Sequence, residues 1–242
     1  KRILKPLLRD DKNGFNEIDM SSALDILHDK LAYYKKNYGN RSILYYTGSG
    51  MSGLTNEIGP SFWDAFGGAT TTYGNFCWPA GLEAVRLTLG DIKHNVPWDL
   101  TNASLILVWG KNPAETNIQE MSFIDKAIDR GCRVIVIDPR RTPTADKAHM
   151  LLQINPGTDA ALALAIANIL IEKDLVEREF ISAHVKGFEE FSRSLSLGPR
   201  EASHITGIPE KYIFELADMI GNAGPMTILP GYGMQRYSNG GQ

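Results

Sequence analysis

The chain alternates between apolar residues at helical spacing and short, continuous apolar runs. In the N-terminal part, apolar positions recur every three or four residues over 19–39 and stop at Gly39, which predicts an amphipathic helix. The run 42–48 ends in a glycine and predicts a buried strand, and the glycine-rich stretch 48–68 predicts a turn that leads into a helix. Together these segments predict one strand–turn–helix crossover unit of an α/β fold.

The same alternation continues to the end of the chain. Strands rich in branched residues are followed by loops and helices, so we expect a mainly parallel sheet with helices on both faces. Two glycines and a threonine-rich stretch follow the first crossover unit, which predicts a boundary between residues 1–72 and residues 73–242. In the second part, strands are predicted at the starts of segments 103–117, 132–142, 149–159 and 225–234, and helices at 118–131, 159–174, 176–185 and 209–221.

Composition and charge narrow the class of protein. The 242 residues are 43% hydrophobic and 22% charged, as in ordinary soluble domains. The net charge of -3 gives no electrostatic case for binding nucleic acid, and no apolar run reaches the ~18 residues of a membrane span. The two cysteines, Cys77 and Cys132, lie far apart, which argues against a disulfide framework or a structural zinc site.

The ends of the chain predict a piece of a longer protein. The chain begins without an initiator methionine and ends in a glycine-rich loop. A targeting signal would belong to the part that precedes this chain, so the sequence indicates no compartment. Both a cytoplasmic and an exported protein fit this composition.

Five loops that follow predicted strands contain the residues best suited to chemistry. In an open parallel sheet, ligands bind outside the carboxyl ends of the strands. Glycines let backbone amides approach a ligand, and helix N-termini offer donors for phosphate oxygens. Arg140 or Arg141 could clamp a phosphate, and Asp138 or Asp159 could accept hydrogen bonds from ribose hydroxyls or a purine amino group. The five loops read TGSGMSG, WGKNPAET, IDPRRTPTAD, NPGTDAA and PGYGMQRYSNGG.

Together the loops predict a rim that binds phosphates and a nucleotide, although each loop alone also fits an ordinary turn between a strand and a helix. Asp159 could serve only as a helix N-cap. Asn112 and Pro113 could serve only as a turn. No loop contains a P-loop lysine, and GSGMSG is a weak signal by itself.

Three of these loops, with the elements that flank them, resemble one known family. The segments WGKNPAETNIQE, VIVIDPRRTPTADKA and LQINPGTDAALALAIANIL are similar in order and spacing to the molybdopterin oxidoreductases of the dimethyl sulfoxide reductase family. RILKPLLRDDKNGFNEIDMSSALD near the start and ILPGYGMQRYSNGGQ near the end extend the resemblance to essentially the whole chain. The family includes formate dehydrogenases, periplasmic nitrate reductases, and polysulfide, thiosulfate and arsenate reductases.

The resemblance implies a fold, a cofactor and partners. Members hold molybdenum or tungsten through the dithiolenes of two pyranopterin guanine dinucleotides (bis-molybdopterin guanine dinucleotide), and Rossmann-like α/β domains cradle these dinucleotides. The resemblance also implies a four-iron four-sulfur cluster in an N-terminal part of the parent protein, a small-molecule substrate and an electron-transfer subunit. The parent would carry out two-electron transfer of an oxygen or sulfur atom, and this piece by itself is expected to be inactive.

The resemblance further implies which residues contact the cofactor. The loop after the first strand of the second part would face a pterin dinucleotide, and the loop after the next strand would lie near a guanosine and its phosphates. The PGTD turn would lie at the same end, and the glycines after the last strand would face the cofactor. The implied residues are Gly110, Lys111, Asn112, Pro113 and Glu115; Asp138, Arg140 and Thr142; Gly157, Thr158 and Asp159; Gly231, Tyr232 and Gly233; and Gly48 and Ser49 in the glycine turn of the first part.

Cys77 precedes a predicted helix in GNFCWPAGLEAV, where the resemblance places the protein ligand of the metal. A thiolate is a soft ligand that suits a sulfur-rich metal centre. On the residue alone, a cysteine is more often a small buried hydrophobe, and we expect that role for Cys132 at the start of a strand. Trp78 stands where formate dehydrogenases have a histidine. Because an indole is no general base at neutral pH, formate oxidation by the usual route is disfavoured.

Two alternatives to a redox enzyme stay open at this stage. Acetylene hydratase uses a cysteine-ligated metal on the same cofactor without net redox chemistry. Some subunits of respiratory complexes keep this fold without a metal site. Because Cys77 and the dinucleotide loops are all present, the sequence argues against the second alternative.

Overall fold

The computed structural model describes residues 2–51, 53–74 and 76–241, with only the backbone at Ser49. The chain divides into two compact units, Lys1–Cys77 and Trp78–Gln242. The division falls near the boundary predicted after residue 72. The assignment of the two parts to separate domains of a longer protein stays a prediction.

The first unit combines a short hairpin, two helices and a two-stranded parallel sheet. The longer helix begins where the Asp19 carboxylate accepts a hydrogen bond from the Ser22 amide at 2.8 Å, and it ends at Gly39, as the sequence predicts. Strands β1 and β2 pair antiparallel, and β3 and β4 pair parallel. The elements are β1 (Leu7–Arg9), β2 (Phe15–Glu17), α1 (Met20–Tyr38), β3 (Leu44–Tyr45), α2 (Ile58–Phe66) and β4 (Thr70–Thr71), with 3-10 turns at Asn40–Ser42 and Ser49–Met51.

Burial in the first unit differs from the prediction. The run 42–48 was expected to form a buried strand, but β3 has two residues and Leu44 is 61% exposed. None of the residues that the structure describes in this unit is buried. The prediction was wrong because a pair of two-residue strands offers too little surface to cover an apolar side chain. The hairpin β1–β2 was missed, although Asn13 and Gly14 are a typical hairpin-turn pair.

The second unit is built on a four-stranded parallel sheet. The strands are β5 (Leu105–Trp109), β6 (Arg133–Ile137), β7 (Met150–Leu152) and β8 (Met226–Pro230). Their order in the sheet is β7-β6-β5-β8, with every neighbouring pair parallel. The helices are α3 (Pro79–Leu89), α4 (Pro113–Thr116), α5 (Ile118–Asp129), α6 (Asp159–Glu172), α7 (Arg178–His184), α8 (Phe188–Ser194), α9 (Pro199–Thr206) and α10 (Glu210–Gly221), with 3-10 turns at Pro97–Asn102 and Ala145–Lys147.

Helices cover both faces of this sheet. Successive side chains of a strand point to opposite faces, and β5 is buried on both. Leu105 and Leu107 belong to a core cluster with residues of α6, α9 and α10. Ile106 and Val108 belong to a second cluster with residues of α5. The structure therefore confirms the predicted α/β class with a parallel sheet between two helical layers, whereas α4, α8 and α9 were not predicted.

Within the described residues, no helix has the length and apolar character needed to cross a membrane.

The last predicted strand, β8, lies at one edge of the sheet and pairs with β5.

Cys132 provides a test of the packing on the α5 face of the sheet. It is 2% exposed in that cluster, and burial raises the pKa of its thiol. Because the thiolate is the reactive form, we expect iodoacetamide at neutral pH to alkylate Cys132 in the native apoprotein at least about tenfold more slowly than the half-buried Cys77. Peptide mass spectrometry after timed labelling measures both rates. Denatured protein should lose the difference, and equal rates in the native protein would contradict this packing.

Candidate cofactor-binding site

The carboxyl ends of the four parallel strands meet at one edge of the sheet. Backbone hydrogen bonds continue the pairing into the loops: the Gly110 amide donates to the Ile137 carbonyl at 2.8 Å, and the Gly231 amide donates to the Trp109 carbonyl at 2.7 Å. The loops therefore start at the same level. We call the loops 110–117, 138–146, 153–159 and 231–241 the carboxyl rim. This is the edge at which parallel α/β sheets bind ligands.

Glycines allow two loops of the carboxyl rim to cross in direct backbone contact. A Cβ on Gly231 would lie 2.0 Å from the Gly110 carbonyl oxygen, and a Cβ on Gly233 would lie 2.8 Å from the same atom. Gly110 itself has φ +62, which a glycine adopts without strain. These three predicted cofactor residues are thus needed for the shape of the rim itself. Tyr232, between them, is 52% exposed.

The loop between β7 and α6 presents a carboxylate that the sheet orients. Trp109, the last residue of β5, donates its indole N–H to Oδ1 of Asp159 at 2.7 Å. Asp159 is the first residue of α6, and the side chain of Thr158 bonds the Asn155 carbonyl at 2.7 Å rather than capping the helix. The alternative that Asp159 is only an N-cap is therefore wrong, because it occupies the first helical turn and its carboxylate holds an indole.

A cleft of about 140 Å³ lies beside this carboxylate. The last loop closes one side of it, because Asn239 donates a side-chain hydrogen bond to the Gly157 carbonyl at 3.2 Å. Gly157 has φ +78, and a Cβ there would lie 3.3 Å from the Tyr237 ring. The cleft is lined by Gly157, Asp159, Ala160, Ala163, Met234, Asn239 and Gly240. The structure thus brings the predicted PGTD turn together with the predicted last loop.

Asn112 connects the loop after β5 with the loop after β6. Its Oδ1 accepts a hydrogen bond from the hydroxyl of Thr144 at 2.7 Å, and its side-chain nitrogen donates to Oε2 of Glu115. The same hydroxyl of Thr144 accepts from the Ala114 amide at 3.0 Å. Pro113 is buried at the first position of α4, where its ring fits the helix start. Asn112 is thus more than a turn residue, because its side chain fixes two loops to each other.

Lys111 makes an ion pair inside the protein rather than a contact at the rim surface. Its ammonium nitrogen lies 2.8 Å from Oε1 and 2.7 Å from Oε2 of Glu120, a residue that is 8% exposed. Oε2 has no other hydrogen-bond partner among the described residues. Breaking this pair would leave a charge buried, so Lys111 is poorly suited to move onto a phosphate.

The loop after β6 divides its polar residues between the rim surface and the interior. Oδ1 of Asp138 accepts a hydrogen bond from the Arg140 amide at 2.8 Å, and the exposed Arg140 guanidinium lies 3.9 Å from Oε2 of Glu115. Thr142 is 2% exposed, and its hydroxyl accepts from the Ala145 amide at 3.2 Å. The Thr142 hydroxyl therefore holds the turn that follows, whereas Arg140 is accessible to a ligand.

The remaining predicted residues belong to the first unit or its end. Gly48 is exposed, and no atom of the described residues lies within 4 Å of the position of a Cβ. The side chain of Ser49 lies outside the described part of the chain. Cys77 is half-buried, and Trp78, 41% exposed, is the N-cap residue of α3. Among the described residues there is no cluster of three or more His, Cys, Asp or Glu side chains that could hold a metal ion.

Sequence reasoning missed three residues that shape the carboxyl rim: Trp109, Thr144 and Asn239. Trp109 carried a signal, because a tryptophan at the end of a buried strand needs an acceptor for its indole N–H. Sequence reasoning also missed that residues 48–53, GSGMSG, have the G-x-G-x-x-G spacing typical of dinucleotide-binding turns. Thr144 and Asn239 bond partners far away in sequence, which no local pattern indicates.

The fold is a parallel α/β sheet whose carboxyl-end loops form one rim. The molybdopterin oxidoreductase family profile matches residues 2–242, and the chain belongs to this family.

Among the relatives, the probable dimethyl sulfoxide reductase chain YnfF of Escherichia coli is 34% identical over 100% of this chain and 34% of its own length. The probable oxidoreductase YyaE of Bacillus subtilis is 32% identical over 95% of this chain and 35% of its own length. Acetylene hydratase from Pelobacter acetylenicus superposes with a TM-score of 0.70 at 27% identity, over 96% of this chain and 33% of that one. The chain thus spans about a third of the length of the proteins it matches.

The contact between Gly231 and the Gly110 carbonyl gives a test of the rim. Gly231→Ala places a methyl group 2.0 Å from that oxygen, so the two loops must separate. We expect a loss of about 1–3 kcal/mol in the free energy of unfolding, the usual cost of overpacking. Gly198→Ala is the matched control, because in the described part of the chain no atom lies within 4 Å of its Cβ position. Equal stability of the two variants in denaturant titrations would show that the loops do not cross as described.

Proposed function

We propose that this chain is the cofactor-binding part of a molybdenum or tungsten enzyme that holds two pyranopterin guanine dinucleotides. The observation that carries the proposal is the Asp159 carboxylate, which the Trp109 indole orients at 2.7 Å beside a cleft of about 140 Å³. Membership of the molybdopterin oxidoreductase family supports a pterin cofactor. The position of the Asp159 carboxylate beside the cleft further supports the guanine dinucleotide form of that cofactor.

The donors and acceptors of the carboxyl rim fit a guanine nucleotide. A carboxylate accepts up to about four hydrogen bonds, so Asp159 keeps acceptor capacity after the contact with Trp109. Guanine carries adjacent N–H donors on one edge, which a carboxylate matches. The N-terminal turn of α6 and the exposed guanidinium of Arg140 suit phosphate oxygens. Glu115 and Asp138 are acceptors and suit ribose hydroxyls or pterin N–H groups.

The other predicted residues have more limited roles in the proposal. Gly110, Gly157, Gly231 and Gly233 let the loops of the carboxyl rim pack closely against one another, while Lys111 and Thr142 stabilise the loops from inside. Pro113 and Thr158 shape their turns, and Tyr232 offers an exposed ring. Gly48 and Ser49 are proposed as contacts from the sequence resemblance.

Cys77 is the proposed protein ligand of the metal. When bound, the pterin cofactor supplies a metal that exchanges two electrons. Cys77 contributes one soft thiolate ligand, and the dithiolene sulfurs contribute the others. Trp78 directly follows Cys77 and offers an apolar surface, and its indole cannot accept a proton as a general base would. The substrate is then a small molecule whose conversion needs no histidine at this position.

For the parent protein we propose oxygen- or sulfur-atom transfer, with electrons delivered by an iron–sulfur cluster and a partner subunit. The names of two relatives, a probable dimethyl sulfoxide reductase chain and a probable oxidoreductase, support redox chemistry. A hydratase is the second candidate, supported by the TM-score of 0.70 with acetylene hydratase.

The test uses the full-length protein purified without oxygen. We expect about two guanine nucleotides per polypeptide after acid release, together with molybdenum or tungsten. Cys77→Ala should lower activity by more than the ~10–100-fold that loss of an outer-shell partner causes at a metal site. Cys132→Ala is the matched control, because Cys132 is buried in the core. Assays of sulfoxide reduction with a reduced viologen and of acetylene hydration distinguish the two candidate reactions.

Each part of the proposal can fail separately. Wild-type protein without guanine nucleotide would refute the dinucleotide assignment. Full activity of Cys77→Ala, with metal retained, would refute the ligand assignment and leave the nucleotide site intact.

A further inference from the structure

Thr144 occupies a central position in the carboxyl rim without being a predicted cofactor contact. Its side chain is fully buried in the loop after β6. Its hydroxyl oxygen accepts a hydrogen bond from the Ala114 amide at 3.0 Å and lies 2.7 Å from Oδ1 of Asn112. Thr144 thereby joins the two loops that follow the central strands β5 and β6.

The hydrogen-bond network determines the orientation of the Asn112 carboxamide. A threonine hydroxyl has one hydrogen to donate, and in the described part of the chain its acceptor is Oδ1 of Asn112. At the other end, a carboxylate can only accept, so Oε2 of Glu115 must face the NH2 group of Asn112. Both constraints require the same orientation, with the oxygen toward the interior and the NH2 group toward Glu115.

This orientation decides what Asn112 offers to a ligand. The side chain of Glu115 is 54% exposed, and the Arg140 guanidinium lies 3.9 Å from it, so this is the solvent side of the rim. The NH2 group has two hydrogens and uses one on Glu115. Its second hydrogen has no acceptor among the described residues, so it can be donated to an acceptor such as a phosphate oxygen. A carboxamide turned by 180° would present its oxygen there and would repel the same ligand atom.

We propose that Thr144 is a positioning residue of the cofactor site, which holds Asn112 with its NH2 group toward an acceptor on the dinucleotide. The inference rests on the proposed function, because it assumes a phosphate-bearing cofactor at the rim. Thr142, two residues earlier, differs in kind, since its hydroxyl bonds an amide of its own loop. Thr144 instead acts between loops and through another side chain.

The test compares Thr144→Val with Thr144→Ser in the cofactor-loaded, full-length protein. Valine keeps the shape of threonine and removes the hydroxyl, whereas serine keeps the hydroxyl. The measured quantity is the rate at which guanine nucleotide is lost during dialysis, quantified as GMP after acid hydrolysis. We expect about tenfold faster loss from Thr144→Val, equivalent to about 1.4 kcal/mol, and a rate close to wild type from Thr144→Ser. Wild-type retention in Thr144→Val would overturn the inference.

A matched control separates positioning from a general loss of stability. Thr206 is also fully buried, and its hydroxyl donates to the Ala202 carbonyl at 2.7 Å and accepts from the Ile208 amide at 3.2 Å. Thr206→Val therefore removes two comparable hydrogen bonds that do not involve Asn112. We expect a similar drop in Tm and no faster nucleotide loss. Equal nucleotide loss from both valine variants would overturn the inference.

A double-mutant cycle tests whether Thr144 acts through Asn112. In an Asn112→Ala background, Thr144→Val should change the rate of nucleotide loss by less than about twofold, because the group to be positioned is absent. A full tenfold effect in that background would contradict the inference. Should the valine variant not fold, Thr144→Ser and Thr144→Ala, which differ only by the hydroxyl, give the same comparison. Wild-type protein without any guanine nucleotide would refute the proposed function, and this inference with it.

Discussion

Strand β5 is hydrogen-bonded to neighbours on both sides, and the position of every loop in the carboxyl rim depends on its register. Trp109 pairs with Ile137 of β6 and with Pro230 of β8, and Ile137 pairs in turn with Leu152 of β7. A slip of one residue would exchange the two faces of a strand that is buried on both. Because both core clusters include residues of β5, packing on either face maintains the same register.

The carboxyl rim adds two kinds of contact to this framework. Backbone crossings set the spacing of the loops, since the Gly110 carbonyl leaves no room for a side chain at Gly231. Side-chain hydrogen bonds then orient the polar groups: an indole orients Asp159, and a buried threonine orients Asn112. Most of the rim's polar side chains therefore have a protein partner that fixes them. Such preorganisation lowers the entropy lost when a ligand binds.

Local pattern in the sequence was sufficient for the sheet and most of its helices. Continuous apolar runs identified β5 and β6, and four of the five predicted loops follow strands of the one parallel sheet. The fifth, TGSGMSG, belongs to the first unit. The sequence predicted the roles of individual residues less well, because these roles depend on partners far away in sequence. Lys111 stands in a predicted cofactor loop but is paired with Glu120 inside the protein. Thr142 and Thr144 look alike in TPTA, yet only the fold shows that Thr144 reaches Asn112.

The sequence-based predictions are less accurate for the first unit, because its strands have only two or three residues. The sequence predicts that the strand in 42–48 is buried, but β3 has only two residues and Leu44 is 61% exposed. A strand prediction relies on apolar content, whereas burial depends on the layers that pack against the strand. The proposed metal-ligand role of Cys77 rests on sequence resemblance, because the described residues contain no cluster of three or more metal-binding side chains.

We propose that the carboxyl rim of the second unit holds the dinucleotide. Hydrogen–deuterium exchange of the full-length protein, with and without cofactor, tests it most directly. Apoprotein from cells unable to make the pterin provides the reference state. We expect cofactor binding to slow amide exchange in the loops 110–117, 138–146, 153–159 and 231–241, and to leave the surface of α7 and α8 unchanged. Exchange in these four loops that is the same in both states would contradict the account.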